Sequence, residues 1–228
     1  RFLKECGDLA RPHFISGLKS PQENIQEKSL EGLISLKGPG GLESTATLFQ
    51  STSSEKVRLL AKNYLEILGP DSESSFMEAL RNPKSQVKVL SLNALGKMKS
   101  DAPYEVISLM FQNEKDPEVH LASFQYLVQL GARAEKDLLL AMRDKEKKIR
   151  LEAIKAIGKI RSQKAISPLL SYLGTLDAEV EKAAIHSLVQ IGEKAVAAVE
   201  AEVEAGRVEV STGKQILFLF HQRQVEDL

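Results

Sequence analysis

Residues 149–173 read IRLEAIKAIGKIRSQKAISPLLSYL and contain two apolar stripes that are separated by a polar turn. The first stripe consists of Ile149, Ala153, Ile154, Ala156 and Ile157. The second stripe, after the turn, consists of Ile166, Leu169, Leu170 and Leu173. Apolar residues three and four positions apart lie on one face of an α-helix, so this stretch predicts a pair of amphipathic helices.

The same arrangement recurs along the chain at intervals of about 31 residues. A β-branched residue opens each first helix, at Ile25, Val57, Val87, Val119, Ile149 and Val180, with spacings of 32, 30, 32, 30 and 31. The position four residues later is always small: Ser29, Ala61, Ser91, Ser123, Ala153 and Ala184. The position eight residues later is always apolar: Leu33, Leu65, Leu95, Leu127, Ile157 and Leu188. Small residues let a neighbouring helix approach closely, so the pattern predicts helix pairs that stack on one another.

Turn signals separate the predicted helices. Ser20-Pro21-Gln22-Glu23 has the residues of a capping box, and the cap-then-proline order returns at Asn82-Pro83 and Asp116-Pro117. Glycines, which end helices readily in the left-handed conformation, follow four first helices at Gly38, Gly69, Gly131 and Gly192. Ser211-Thr212 can cap a final helix.

These signals predict one repeat domain over residues 1–228. Its units are expected at about residues 20–50, 51–81, 82–112, 113–142, 143–173 and 174–205, with partial caps at 1–19 and 206–228. The chain begins with Arg1 rather than Met, so we expect the native N-terminus to be missing. A cytoplasmic location is the default expectation, and a periplasmic or exported one stays open.

The overall charge is zero, because 31 Lys and Arg balance 31 Asp and Glu. That balance argues against a dedicated nucleic-acid binder, and no apolar run approaches the roughly 20 residues of a membrane helix. Charge is nevertheless uneven: residues 81–100 carry +5, residues 143–164 carry +6 and residues 177–209 carry −5. Helix solvation and pairing between neighbouring units is the simplest interpretation. A basic band for an acidic protein, a nucleic acid or an anionic surface is the alternative.

Residues that could carry out chemistry are scattered. Cys6 is the only cysteine, so no intrachain disulfide can form, and we expect a partly buried thiol there. The histidines His13, His120, His186 and His221 are isolated, and His120 and His186 are expected to be solvated. Neither a Gly-x-Ser-x-Gly elbow nor a phosphate-binding loop is present. We therefore expect no catalytic, metal-binding or cofactor-binding residues, and no cofactor.

Several of these segments resemble HEAT repeats. Asp116-Pro-Glu-Val119 and Asp177-Ala-Glu-Val180 are similar to the start of a repeat, and Leu95-Gly-Lys-Met98 and residues 156–160 are similar to the end of its first helix. The short unit is similar to the bacterial subtype of proteins related to phycobilisome lyases. The resemblance covers about residues 20–205, and units one to three depart from it at Gln22, Ser54 and Lys84, where the acidic cap is replaced.

The resemblance implies an all-α fold, a right-handed α-α superhelix (α-solenoid) of about six HEAT-like helix pairs plus partial units at both ends. First helices would form the convex side and second helices the concave side. HEAT-like hydroxylases that hold a di-iron centre carry repeated His-Glu motifs, and this chain has no His-Glu pair.

The resulting functional prediction is a non-enzymatic scaffold or adaptor that binds another protein or peptide through its concave surface. The candidate contact residues on that surface are Ser75, Glu78, Met110, Asp137, Ser171 and Tyr172. The apolar run at Phe218 and Phe220 in the last helix is interpreted most simply as a buried terminal cap. The alternative is a candidate patch for association with another chain or with a missing segment. The alternative is a modifying enzyme of the bilin-lyase type, which a deep pocket of clustered His, Tyr or acidic residues would favour. DNA binding ranks lower, because the chain has no Trp and its basic residues do not cluster in the second helices.

Overall fold

The computed structural model describes the backbone of residues 2–226 and the side chains of residues 7 and 9–225; the thiol of Cys6 lies outside this set. The described residues form fourteen α-helices and no β-strand, so the predicted all-α class is confirmed. The helices are α1 (Phe2–Gly17), α2 (Glu23–Leu36), α3 (Leu42–Ser51), α4 (Glu55–Leu68), α5 (Glu73–Ala79), α6 (Ser85–Met98), α7 (Tyr104–Asn113), α8 (Pro117–Leu130), α9 (Glu135–Ala141), α10 (Lys147–Lys159), α11 (Ile166–Leu170), α12 (Ala178–Ile191), α13 (Glu193–Glu204) and α14 (Val210–Glu226). Short 3-10 turns precede α3, α5, α9 and α11.

The helices from α2 to α13 follow one another as six pairs, each a first helix and a shorter second helix. The chain divides into two compact units, unit 1 (residues 1–126) and unit 2 (residues 127–228), and the boundary falls inside α8. A single repeat domain over the whole chain therefore stays a prediction. None of the helices within residues 2–226 has the length and apolar character that crossing a membrane requires.

The predicted repeat positions form the core. All six small residues and all six apolar residues, four and eight positions after the opening residue of each first helix, are buried. Five of the six opening residues are buried as well. Ile25, whose side chain lies beside Gly17 of α1, is the exception at 39% exposed.

Hydrogen bonds that tie one helix pair to the next also recur. In unit 1 the hydroxyl groups of Tyr64 and Tyr126 donate to the carbonyl oxygens of Gly38 and Ser100, at 2.6 and 2.8 Å. The Ser100 hydroxyl donates to the carboxylate of Glu73 at 2.6 Å. In unit 2 the Ser162 hydroxyl donates to Glu135 at 2.7 Å, so each unit contains the same serine–glutamate contact across 27 residues.

Close approach of two first helices in unit 2 requires a glycine. α10 packs against α12, and a Cβ atom at Gly158 would lie 2.8 Å from the Cβ of Ser187 and 2.5 Å from the amide oxygen of Gln190. The Ser187 hydroxyl donates to the carbonyl oxygen of Ile154 at 2.8 Å, a bond that only this short separation allows. The small residue at this point therefore sets the distance between α10 and α12.

Helix starts agree with the sequence at the two acidic caps. The carboxylate of Asp116 accepts from the backbone N–H groups of Glu118 and Val119, and Asp177 does the same at the start of α12. The four predicted terminal glycines all have positive φ, between 58° and 100°.

Two predicted starts are displaced. Ser20 and Asn82 each accept from the backbone N–H two residues later, so they close a turn before the helix instead of capping it. As a result α2 begins at Glu23 and α6 begins at Ser85, each three residues after the expected cap.

Candidate protein-binding surfaces

Three of the residues predicted for the binding surface lie in unit 1. Glu78 is exposed at the end of α5, and Met110 is half-buried on α7. Ser75 is buried, because it lies on the side of α5 that carries the buried Phe76 and Ala79. Ser75 therefore offers a partner no surface, and the unit 1 candidates reduce to Glu78 and Met110.

The other three lie in unit 2. Ser171, just after α11, is exposed, and its hydroxyl donates to the carbonyl oxygen of Pro168 at 2.7 Å. Tyr172 is half-buried in the same turn, and its hydroxyl donates to the carbonyl oxygen of Met142. Asp137 is buried near the start of α9 and offers no surface. Because Asp137 is polar, the sequence predicted it to lie on the surface. It is instead buried and directly precedes the core residue Leu138.

Exposed apolar side chains on α7 extend the candidate surface in unit 1. Val106 is 53% exposed and Leu109 is 60% exposed, and Met110 follows directly. We call these three residues the α7 strip. Val106 and Leu109 were not among the residues predicted from the sequence, although Leu109 follows the predicted Glu78 by 31 residues, which is one repeat. In unit 2 Leu140 on α9 has the corresponding position, 31 residues before Ser171, and it is 51% exposed.

The last helix packs through one face only. α14 packs against α12 and α13, with Ile216 fully buried in that contact. The guanidinium of Arg223 donates to the carbonyl oxygen of Val189 at 3.0 Å. Phe218 is 61% exposed, whereas Phe220 is half-buried with its ring edge-on to His221. The predicted end patch is thus open mainly at Phe218.

Two grooves flank α10 in unit 2. The first, of about 590 Å³, lies between residues 128–131 and α10, and the second, of about 450 Å³, lies between α10 and α12. Leu151, Lys155 and Lys159 line both grooves. Lys148 lines the first groove and Lys182 the second. We call Lys148, Lys155 and Lys159, which are all exposed on α10, the lysine ridge.

Other basic residues of the same segment are neutralised by carboxylates of a neighbouring helix pair. The ammonium of Lys164 lies 2.5 Å from the carboxylate of Glu135, and this contact, together with the Ser162 hydroxyl, holds the pKa of Glu135 below its usual value. Lys147 contacts Glu179 at 2.9 Å and Asp177 at 3.0 Å. The hydrogen bonds that Lys147 donates to Glu179 and Asp177 raise the pKa of Lys147, and Lys147 in turn lowers the pKa of Asp177.

The lysine ridge differs from those residues. Within the part of the chain that the structure describes, no carboxylate comes within ion-pairing distance of Lys148, Lys155 or Lys159. The basic segments of the sequence therefore contain two kinds of lysine. One kind joins neighbouring helix pairs, and the other is presented to solvent around a groove.

The histidines occupy different environments. His13, His186 and His221 are exposed, as expected for His186. The expectation for His120 is wrong: it is buried and its ring stacks on Phe111, with centroids 4.8 Å apart and planes 14° apart. The position after the opening residue of a first helix lies over the preceding turn, where the equivalent Arg58 is also buried and donates to the carbonyl oxygen of Thr52. Among the described residues, no group of three or more His, Cys, Asp or Glu side chains is placed to hold a metal ion.

Parts of the chain and its fold are similar to known proteins. The family model for HEAT repeats matches residues 135–203. No protein in a search of curated sequences matches the chain. A chain from the complex of CpcE and CpcF of phycocyanin lyase from Nostoc sp. PCC7120 is similar in structure, with a TM-score of 0.51 and 15% identity over 93% of this chain and 94% of that one.

Two further structures cover the chain with lower scores. Human deoxyhypusine hydroxylase in complex with glycerol has a TM-score of 0.39 and 15% identity over 96% of this chain and 98% of that one. An engineered protein has a TM-score of 0.30 and 17% identity, with coverages of 92% and 94%. TM-scores this low do not establish a shared fold or function. The repeat match and the similarity to the lyase-complex chain together confirm the resemblance seen in the sequence: residues 135–203 match the family model for HEAT repeats, and the described residues have a HEAT-like all-α repeat fold.

Proposed function

We propose that this chain is a non-enzymatic HEAT-like scaffold or adaptor that binds another protein through the surface of its second helices. The observation that carries the proposal is the α7 strip, where Val106 and Leu109 are more than half exposed. Exposed apolar side chains that are contiguous on one helix face mark protein interaction sites more often than chance positions do. A partner that covers them gains the free energy of removing that apolar area from water.

The surroundings of the α7 strip fit a protein interface. Val106 and Leu109 are three residues apart and therefore lie about 4.5 Å apart along the helix axis, on the same face. Exposed polar side chains border them at Glu105 and Asn113. An apolar centre with a polar rim is the usual composition of a protein–protein contact, and the flexible Met110 can adapt to a partner's shape.

Two further observations support a protein partner. Leu140 is exposed at the same repeat position in unit 2, so both units present an apolar side chain there. The similar phycocyanin lyase chain was solved as a complex of CpcE and CpcF. A HEAT-like chain of this kind is therefore compatible with assembly onto another protein chain.

A quantitative pull-down tests the proposal. Purified wild-type protein, a Val106→Ser/Leu109→Ser variant and a Leu59→Ser control are used as baits, and the recovered partner is then purified and titrated calorimetrically against all three. Leu59 is an exposed leucine on the first helix α4, so it matches the chemical change away from the α7 strip. We expect binding to weaken at least about tenfold in the double variant and to persist in the control. Equal binding by all three baits, or no partner with saturable binding, would overturn the proposal.

The patch around Phe218 remains a proposal for contact with a second chain. A half-exposed phenylalanine can contribute to association when a partner desolvates it. Light scattering coupled to size exclusion, on wild type and on Phe218→Ser/Phe220→Ser, measures this directly. A wild-type protein that is monomeric over the whole concentration range excludes self-association through α14.

A further inference from the structure

The lysine ridge presents three positive charges in a line. Lys148, Lys155 and Lys159 are seven and four residues apart on α10, which places them on one helix face over about 16 Å. All three are exposed, and none has a carboxylate within ion-pairing distance among the described residues. Uncompensated charges in a line attract a ligand of opposite charge and comparable length.

The grooves on either side of the ridge have apolar floors. Half-buried Leu151 lines both grooves, Ala156 lines the first, and Ala183 lines the second. At about 590 and 450 Å³ each groove can accommodate one or two side chains. Lysine stems can pack along such a floor while the ammonium groups stay at the rim.

The charge of the rims is positive on both sides. The first groove has Lys148, Lys155 and Lys159 against Glu152. The second has Lys155, Lys159 and Lys182 against Glu179, and Glu179 is already neutralised by Lys147 at 2.9 Å. A ligand with both carboxylates and an apolar side chain complements this arrangement.

We propose that the grooves flanking the lysine ridge bind an acidic amphipathic segment of a partner protein. Its apolar side chains occupy the floor over Leu151, and its carboxylates pair with Lys148, Lys155, Lys159 and Lys182. This surface is on first helices of unit 2, so it does not depend on the α7 strip of unit 1.

A nucleic acid complements the grooves less well. Neither groove is lined by an arginine or by an aromatic ring other than the imidazole of His186. Single-stranded binding surfaces use aromatic side chains for base stacking, and arginine gives the bidentate contact to phosphate. The zero net charge of the whole chain also gives little long-range attraction to a polyanion.

A second copy of the chain is the competing occupant. Helix α13 carries Glu193, Glu200 and Glu204 at the same spacings of seven and four residues, all exposed. Each copy would then contribute a basic surface and a different acidic one. In such a heterologous contact, the first and last copies each keep one surface unoccupied. Further copies can therefore add to the assembly unless its rotation closes a ring. A separate acidic partner can bind the grooves beside the lysine ridge without causing open-ended assembly, so we favour it.

Fluorescence anisotropy with a synthetic helical peptide tests the proposal. The probe has glutamates at spacings of seven and four and leucines on the adjacent face, and the matched control peptide has glutamine in place of glutamate. The protein variants are Lys155→Glu/Lys159→Glu and, as a control of equal charge change, Lys136→Glu/Lys214→Glu, both exposed residues that line neither groove. Circular dichroism and thermal unfolding verify that both variants are folded.

We expect the glutamate peptide to bind wild type at about 50 mM salt and to weaken as salt rises, since screening reduces the attraction between exposed charges. Binding should weaken at least about tenfold in Lys155→Glu/Lys159→Glu, and by less than about twofold in the control variant. The glutamine peptide should bind at least about tenfold more weakly than the glutamate peptide.

Four outcomes would overturn the proposal. One is unchanged affinity in the ridge variant, and another is equal binding of the two peptides. The third is tighter, ridge-dependent binding of single-stranded DNA or of phosphatidylserine vesicles than of the peptide. The last is a concentration-dependent oligomer of wild type that the ridge variant abolishes, which would assign the ridge to a second copy.

Discussion

Helix α6 of unit 1 and helix α10 of unit 2 occupy the same place in the repeat, yet their surfaces differ. Their buried residues are nearly interchangeable: Val87, Ser91 and Leu95 in α6, and Ile149, Ala153 and Ile157 in α10. Their outward positions are not: Gln86, Asn93 and Lys97 in α6, against Lys148, Lys155 and Lys159 in α10. The buried residues thus specify the repeat, and the outward residues specify what each repeat can bind.

One position shows how the difference arises. Lys97 and Lys159 are equivalent in the repeat, and Lys97 lies 3.3 Å from the carboxylate of Glu66 on α4. In the repeat before α10, the residue equivalent to Glu66 is Val128, which lines the first groove together with Lys159. Replacing an acid by a valine therefore leaves the lysine uncompensated and gives the groove part of its apolar lining.

The largest loss of stability is expected from substitutions at the equivalent buried positions of α6 and α10. Leu95→Ala and Ile157→Ala each leave a cavity at a fully buried site and should destabilise the protein by about 2–5 kcal/mol. Urea unfolding followed by circular dichroism measures both. If only one of the two variants is destabilised, the core equivalence of α6 and α10 is contradicted.

A smaller loss of stability is expected at Gly158. Valine there would place side-chain carbon against the Cβ of Ser187, so Gly158→Val should destabilise by about 1–3 kcal/mol through overpacking of α10 against α12. Lys155→Val is the matched control, since it brings the same β-branched residue to an exposed position of α10. Similar unfolding midpoints for the two variants would show that the close approach is not needed.

The contact of Glu135 with Lys164 makes a pH-dependent contribution. Because Lys164 and Ser162 lower the pKa of Glu135 from its ordinary 4.5, the stabilisation is complete above that value and is lost as pH falls through the lower folded-state pKa. Wild type should therefore lose more stability than Glu135→Gln when urea unfolding is repeated from about pH 6 to about pH 3. Glu204→Gln, an exposed change on α13, serves as control. Parallel pH profiles for wild type and Glu135→Gln would contradict the role of this pair.

The smallest change in stability is expected from substitutions that compare a lysine in an ion pair with a lysine of the lysine ridge. Lys97→Gln breaks a partly exposed ion pair and should destabilise by about 0.2–1 kcal/mol, whereas Lys159→Gln should change stability by less than that range. High-precision thermal unfolding of the two variants side by side makes the comparison. An equal loss in both would indicate that Lys159 also has a carboxylate partner in solution.

Much of the fold could be predicted because its signals are local or strictly periodic. The opening residues, the small residues four positions later and the apolar residues eight positions later recur at nearly constant spacing, and the structure buries all of them except Ile25. The acidic caps at Asp116 and Asp177 bond to backbone groups two and three residues away, so sequence neighbours suffice to predict them.

The candidate surfaces were harder to predict. Ser75 and Asp137 are polar residues next to core positions, and Val106 and Leu109 are apolar residues on an open face, so residue type alone pointed the wrong way for each. His120 is buried because it lies over a turn and against Phe111, a contact between different helices. Polarity correlates with exposure only on average, and these side chains follow the geometry of the helix pair instead.

Helix pairing, repeat length and core composition thus follow from the order of residues, because each depends on neighbours within one or two helical turns or on a constant period. Whether each charged side chain is paired with an opposite charge does not follow from the order of residues in this way. Whether a lysine is neutralised depends on the residue about 31 positions away in the adjoining helix pair, as Glu66 for Lys97 and Val128 for Lys159 illustrate. Stacking of the pairs brings those residues together, and only then does a basic stretch separate into structural ion pairs and a lysine ridge beside an open groove.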